Sequence, residues 1–94
     1  MTEKNILGPE ELFNKFYPAK LGASFKLLGY CSQIVQGTNY ALEIEETLST
    51  NPPVKSTKYH YFHVDLDGNI IDQGTKDHGP TATDIPGGWH CQKI

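Results

Sequence analysis

Gln33-Ile34-Val35-Gln36-Gly37 decides how this chain is read, because it joins two runs with the character of β-strands. Downstream, Thr38–Leu48 alternates: Tyr40, Leu42, Ile44 and Leu48 share one face, and Asn39, Glu43, Glu45 and Thr47 share the other. Upstream, Phe25–Ser32 is apolar but mixed, as in a strand covered on both sides. Two consecutive strands joined so closely predict an antiparallel hairpin with Gln33–Gly37 at its tip. Gly37 can take the positive φ that such a tip requires. Val35 is apolar where folding alone favours a polar residue, and Gln33 offers an uncharged amide that both donates and accepts. A tip of this chemistry suits a partly apolar cleft lined with backbone polar groups. The plainer reading is a hairpin with no further role.

Working outward from the hairpin, residues 1–8 read as an extended arm in which Ile6 and Leu7 precede the break at Gly8-Pro9. Pro9 suits a first helical turn, and Glu10 and Glu11 put negative charge where the helix dipole favours it. Leu12, Phe13, Phe16 and Tyr17 then recur at helical spacing, and Pro18 stops the pattern. The expectation is a short amphipathic helix, Pro9–Tyr17, that needs a sheet to pack on. Beyond the hairpin, Ser49–Ser56 contains Asn51-Pro52-Pro53 and reads as a loop. Lys58–Leu66 is an aromatic-rich strand with Tyr59, Tyr61 and His63 on one face and His60, Phe62 and Val64 on the other. Asp67-Gly68 signals a tight hairpin into Asn69–Gln73. Residues 74–94 read as an irregular tail. The whole is one α+β domain over residues 1–94, an antiparallel sheet of about four strands wrapped on one short N-terminal helix.

Ninety-four residues suffice for one small core. The formal charge is −3, and no Lys or Arg stripe exists to neutralise a phosphate backbone, so nucleic acid is a poor partner. The opening Met-Thr-Glu-Lys leads into no apolar signal region, and no stretch has the length of a membrane span, so the expectation is a cytoplasmic protein without membrane contact. In that compartment Cys31 and Cys91 read as free thiols. The alternative is a disulfide that pins the tail to the sheet, and the sequence leaves both open.

Gln-x-Val-x-Gly, continued here by Thr38-Asn39-Tyr40, resembles the first hairpin loop of the cystatin and stefin family. Gly8, preceded by Ile6-Leu7, is similar to the glycine of that family's N-terminal arm. The resemblance implies a cystatin-like fold and reversible, tight inhibition of papain-like cysteine proteases. In the family, the arm, the first loop and a second hairpin loop form a wedge that occludes the active-site cleft without being cleaved. It therefore implies protease contacts at Gly8, Gln33, Ile34, Val35, Gln36 and Gly37, and at Asp67 and Gly68 in the second loop. No catalysis, metal or cofactor is implied. A monomer is expected, with a domain-swapped dimer as the alternative if the first loop opens into one long strand.

The chain also departs from the family pattern. The segment between Gly8 and Gln33 is short, Gln36 stands where the family has a small alanine, and the hairpin at Asp67-Gly68 lacks a Pro-Trp pair. Pro86-Gly87-Gly88-Trp89 is a competing second loop, with Trp89 either an anchor or a cover for the sheet. The alternative function is a binding module on this scaffold that does not inhibit.

Other chemistry finds little support. Cys31 with one of the histidines forms no recognisable dyad, and Cys on a strand is commonly a small hydrophobe. His60 and His63 fall on opposite strand faces, unsuited to sharing a metal. Asp65, Asp67 and Asn69 recur at a calcium-loop interval, but that loop's glycine and distant glutamate are misplaced, so turn chemistry explains them better.

Overall fold

Ala23–Val35 (β1) and Gly37–Leu48 (β2) form a long antiparallel hairpin in the computed structural model, which describes residues 7–81 and 87–94. Val54–Val64 (β3), Ile70–Lys76 (β4) and Trp89–Lys93 (β5) complete a five-stranded antiparallel sheet in the order β4-β3-β2-β1-β5. Helix α1, Pro9–Phe16, lies on one face.

The mixed pattern of β1 has a local cause. Leu27 opposes Ile44, but Gly29 opposes Glu43, so Leu28 is an extra residue and the pairing slips there. Such a bulge reverses which residues face the core. Phe25 and Leu27 face α1 before it, and Tyr30 does so after it, opposite Leu42. The bulged residue's carbonyl is not left unpaired, since Ile94 N–H donates to Leu28 O at 3.0 Å.

Leu12 of α1 is fully buried against Leu27, Leu42, Ile44, Phe62 and Val64, with Phe13, Phe16 and Tyr17 packed around this cluster. Sealing one leucine side chain from water contributes about 2 kcal/mol, so the sheet supplies what two helical turns lack alone. His60 is buried in the same layer. Its Nε2 is 2.7 Å from Asp72 Oδ1 and its Nδ1 is 2.6 Å from Tyr17 Oη, so both ring nitrogens are satisfied. A carboxylate only accepts, so Nε2 carries a proton, and in the neutral ring Nδ1 accepts from the Tyr17 hydroxyl. This bridge ties the end of the helix to edge strand β4.

Three expectations are corrected. The sheet has five strands, and residues 74–94 are not wholly irregular, since Ile70–Lys76 extends β4 and Trp89–Lys93 returns as β5. Strand β3 starts at Val54, so the loop after β2 is shorter than Ser49–Ser56. Cys31 and Cys91 are not free: they are directly opposed across β1 and β5 and joined by a disulfide. Spanning 60 residues, the bond removes chain entropy equivalent to about 4 kcal/mol on the loop-closure model. Residues 1–6 of the expected arm, and Pro86, lie outside the described residues.

Candidate functional site

Topology brings four pieces of chain to one end of the sheet. The β1–β2 tip is there by construction. Thr38 opposes Val64 and Val64 opposes Ile70, so the loop of residues 65–69 rises beside the tip. On the other side Gln33 opposes Trp89, so the entry to β5 flanks the same tip. The fourth piece is the start of α1. The other end of the helix is held far from the tip, where Tyr17 packs edge-on to Phe25, which opposes Glu46.

The first tip is narrow, with Val35 opposite Gly37 and only Gln36 between them. Ile34 is 76% exposed and Val35 46%, at the point where the sheet stops. Gly37 has φ +97°, and a Cβ there would fall on the Val64 carbonyl oxygen and lie 2.9 Å from Asp65 Cα. Only glycine meets both requirements.

The second loop is built differently from the expected two-residue hairpin. Strand β3 stops at Val64, and Asp65 organises the five residues that follow. Its Oδ1 accepts from the Asp67 and Asn69 amides at 2.9 and 2.8 Å, and its Oδ2 accepts from Asn69 Nδ2 at 3.1 Å. Hydrogen bonds to the ionised form hold the Asp65 carboxyl below its usual range, those from Asn69 contributing most. Asp67 thus contributes an amide to the turn, and Gly68 supplies φ +87°. The side chain at the crest is Leu66, 79% exposed; the sequence places it in the expected Leu66–Asn69 loop, but the resemblance implies contacts there only at Asp67 and Gly68. Asp65-x-Asp67-Gly68-Asn69 carried the signal, since Asp before such a turn caps the amides that follow.

Gln33 and Gly8 have roles inside the chain. Gln33 Nε2 donates to Gly87 O at 2.8 Å, and its Oε1 accepts from Asn39 Nδ2 at 2.8 Å. The Asn39 oxygen then faces His63 Nδ1 at 2.6 Å. Because the Gly87 carbonyl can only accept, the direction of the whole chain is set: His63 Nδ1–H to Asn39, Asn39 to Gln33, Gln33 to Gly87. This polar row crosses β3, β2 and β1 on the face away from α1 and fixes the entry to β5 beside the tip. Gly8 is the residue before α1; its N–H donates to Glu11 Oε1 at 3.0 Å and its carbonyl accepts from Leu12 N. Its φ of −89° is open to any residue.

Trp89 is half-buried, its ring edge-on to Tyr61 at 6.2 Å across the outer face, and Gly88 turns the chain into β5 at φ +99°. Among the described residues no helix is long and apolar enough to cross a membrane. None of their His, Cys, Asp and Glu side chains gather in threes to hold a metal ion. Comparison with protein-family models, curated proteins and solved structures finds no match to this chain.

Proposed function

We propose that this chain is a reversible, tight-binding inhibitor of papain-like cysteine proteases that occludes the active-site cleft with one end of its sheet. One observation carries the reading: Ile34 and Val35 on the first tip and Leu66 on the neighbouring loop are exposed apolar side chains at the same end of a braced sheet. Exposed apolar groups on tight, pre-ordered loops lose little entropy on docking. Each would contribute on the order of 2 kcal/mol when sealed in an apolar cleft. The Gln33–Gly37 motif, with its continuation Thr38-Asn39-Tyr40, supplies the protease class. Gln36 and the backbone of Gly37 offer polar contacts at the crest, and Asp67 and Gly68 border Leu66. In this reading Gln33 acts by holding the tip, and Gly8 by directing the arm from the start of α1.

The internal commitment of the Gln33 amide favours a second reading, a binding module on a cystatin-like scaffold that leaves its partner active. Titration of active papain with the purified chain separates the two. Stoichiometric loss of activity, recovered on dilution, supports inhibition. Full activity at micromolar chain overturns it, and binding seen by calorimetry under those conditions establishes the second reading.

A further inference from the structure

We propose that the Cys31–Cys91 disulfide is a thiol-exchange site for small thiols of the glutathione class, and that opening it frees β5 from the sheet. Three observations lead there. The two sulfurs are unequally placed: Cys31 is 7% exposed, whereas Cys91 stands on the exposed edge strand. A cleft of about 250 Å³ opens onto both cysteines, bordered by Glu43, Tyr59, Pro80 and Lys93. Lys93 Nζ and Glu43 Oε1 form an ion pair 2.6 Å apart at its rim, offering one charge of each sign to a thiol that carries carboxylate and ammonium groups. Finally, β5 is an edge strand whose other ties are non-covalent: its ladder with β1, the Lys93–Glu43 ion pair, the Trp89–Tyr61 contact and the Ile94–Leu28 hydrogen bond. Among the described residues it pairs with β1 alone, over five residues, of which Trp89 is half-buried and the other four are exposed.

The exchange balances as two thiol steps. A thiolate attacks the accessible Cys91 Sγ, the Cys31–Cys91 bond breaks, and Cys31 leaves as a thiolate that takes up the proton released by the attacking thiol. A second thiolate attacks the small-molecule sulfur of this mixed disulfide, and Cys91 leaves as a thiolate that takes up the second thiol's proton, giving two protein thiols and one small-molecule disulfide. Cys91 lies at the centre of the β1–β5 pairing, between Trp89 opposite Gln33 and Lys93 opposite Gly29. Its release removes the covalent tie to β1 and leaves the β1–β5 ladder, the Gln33–Gly87 and Ile94–Leu28 hydrogen bonds, the Lys93–Glu43 ion pair and the Trp89–Tyr61 contact to hold an exposed edge strand against solvent. The proposal concerns the sheet and does not depend on protease inhibition.

The test treats the oxidised full chain with reduced glutathione under native conditions. It follows alkylation by mass, emission of the single tryptophan, and amide exchange in β5 against β2. Both cysteines are expected to alkylate without denaturant. Trp89 emission should shift red to match a Cys91→Ser chain, and β5 amides should exchange at least tenfold faster while β2 is unchanged. Labelling only after denaturation overturns the proposal, as does a reduced chain with unaltered Trp89 emission and β5 exchange. Acceleration of β2 to the same degree also overturns it, since the bond would then support the whole fold and not one strand.

Discussion

A Cβ placed on Gly37 would fall on the carbonyl oxygen of Val64, so the first hairpin tip and the end of β3 touch backbone to backbone. That contact binds the two loops carrying Ile34, Val35 and Leu66 into one edge. Gly37→Ala adds this clash to a left-handed conformation and should cost about 2–4 kcal/mol. Urea unfolding would measure it. A loss within 0.5 kcal/mol would mean that β2 shifts off β3 at little cost.

The exposed apolar side chains make the opposite prediction. Val35→Asp and Leu66→Asp should change the unfolding free energy by less than about 0.5 kcal/mol, because both positions already face water. In papain titrations each should weaken inhibition by at least about a hundredfold, as a charge desolvated without a partner. If stability and inhibition fall together, these residues are structural.

Gln33→Ala and Asn39→Ala remove adjacent members of one hydrogen-bond row, so they should behave alike. Each should cost about 1–2 kcal/mol and speed amide exchange at residues 87–89. Papain binding should weaken to a similar extent in both, since the effect is on the position of the tip. A large loss of binding with Gln33→Ala and none with Asn39→Ala would instead make the Gln33 amide a direct protease contact.

Acid stability depends on Asp72. The hydrogen bond from His60 Nε2, then that from the Gly74 amide, hold its carboxyl below the ordinary value of 3.8. A carboxyl lowered by folding stabilises fully above its unfolded value, and that contribution disappears as the pH falls through the folded value. The window is therefore below about pH 4. The side chain is 48% exposed, so the effect is modest. Urea midpoints of Asp72→Asn between pH 2 and 6 should show a lower plateau and a shallower acid limb than the parent chain. An unchanged limb would assign the acid sensitivity to other carboxylates, Asp65 first.

Much of the fold was legible locally. The alternation in residues 38–48 and the spacing of Leu12, Phe13 and Phe16 are short-range patterns, and they predicted β2, its facing residues and α1 because burial of one face enforces one period. Gly37 was legible as a tip residue for the same reason, since its conformation follows from the turn. The bulge at Leu28 was not, because the slip is defined by the partner strand and breaks the very periodicity that reveals strands.

The sequence alone determined the helix, the central hairpin and the apolar chemistry of its tip, all set by neighbours a few residues apart. Tertiary structure alone decided which distant segments share that end of the sheet. The return of residues 89–93 beside β1, the pairing of Cys31 with Cys91 and the row from His63 to Gly87 each join groups far apart in the chain. Nothing local marks such partners. Trp89, Cys91 and Gln33 acquire their roles only when strand order places them opposite one another, and strand order follows from packing the whole sheet.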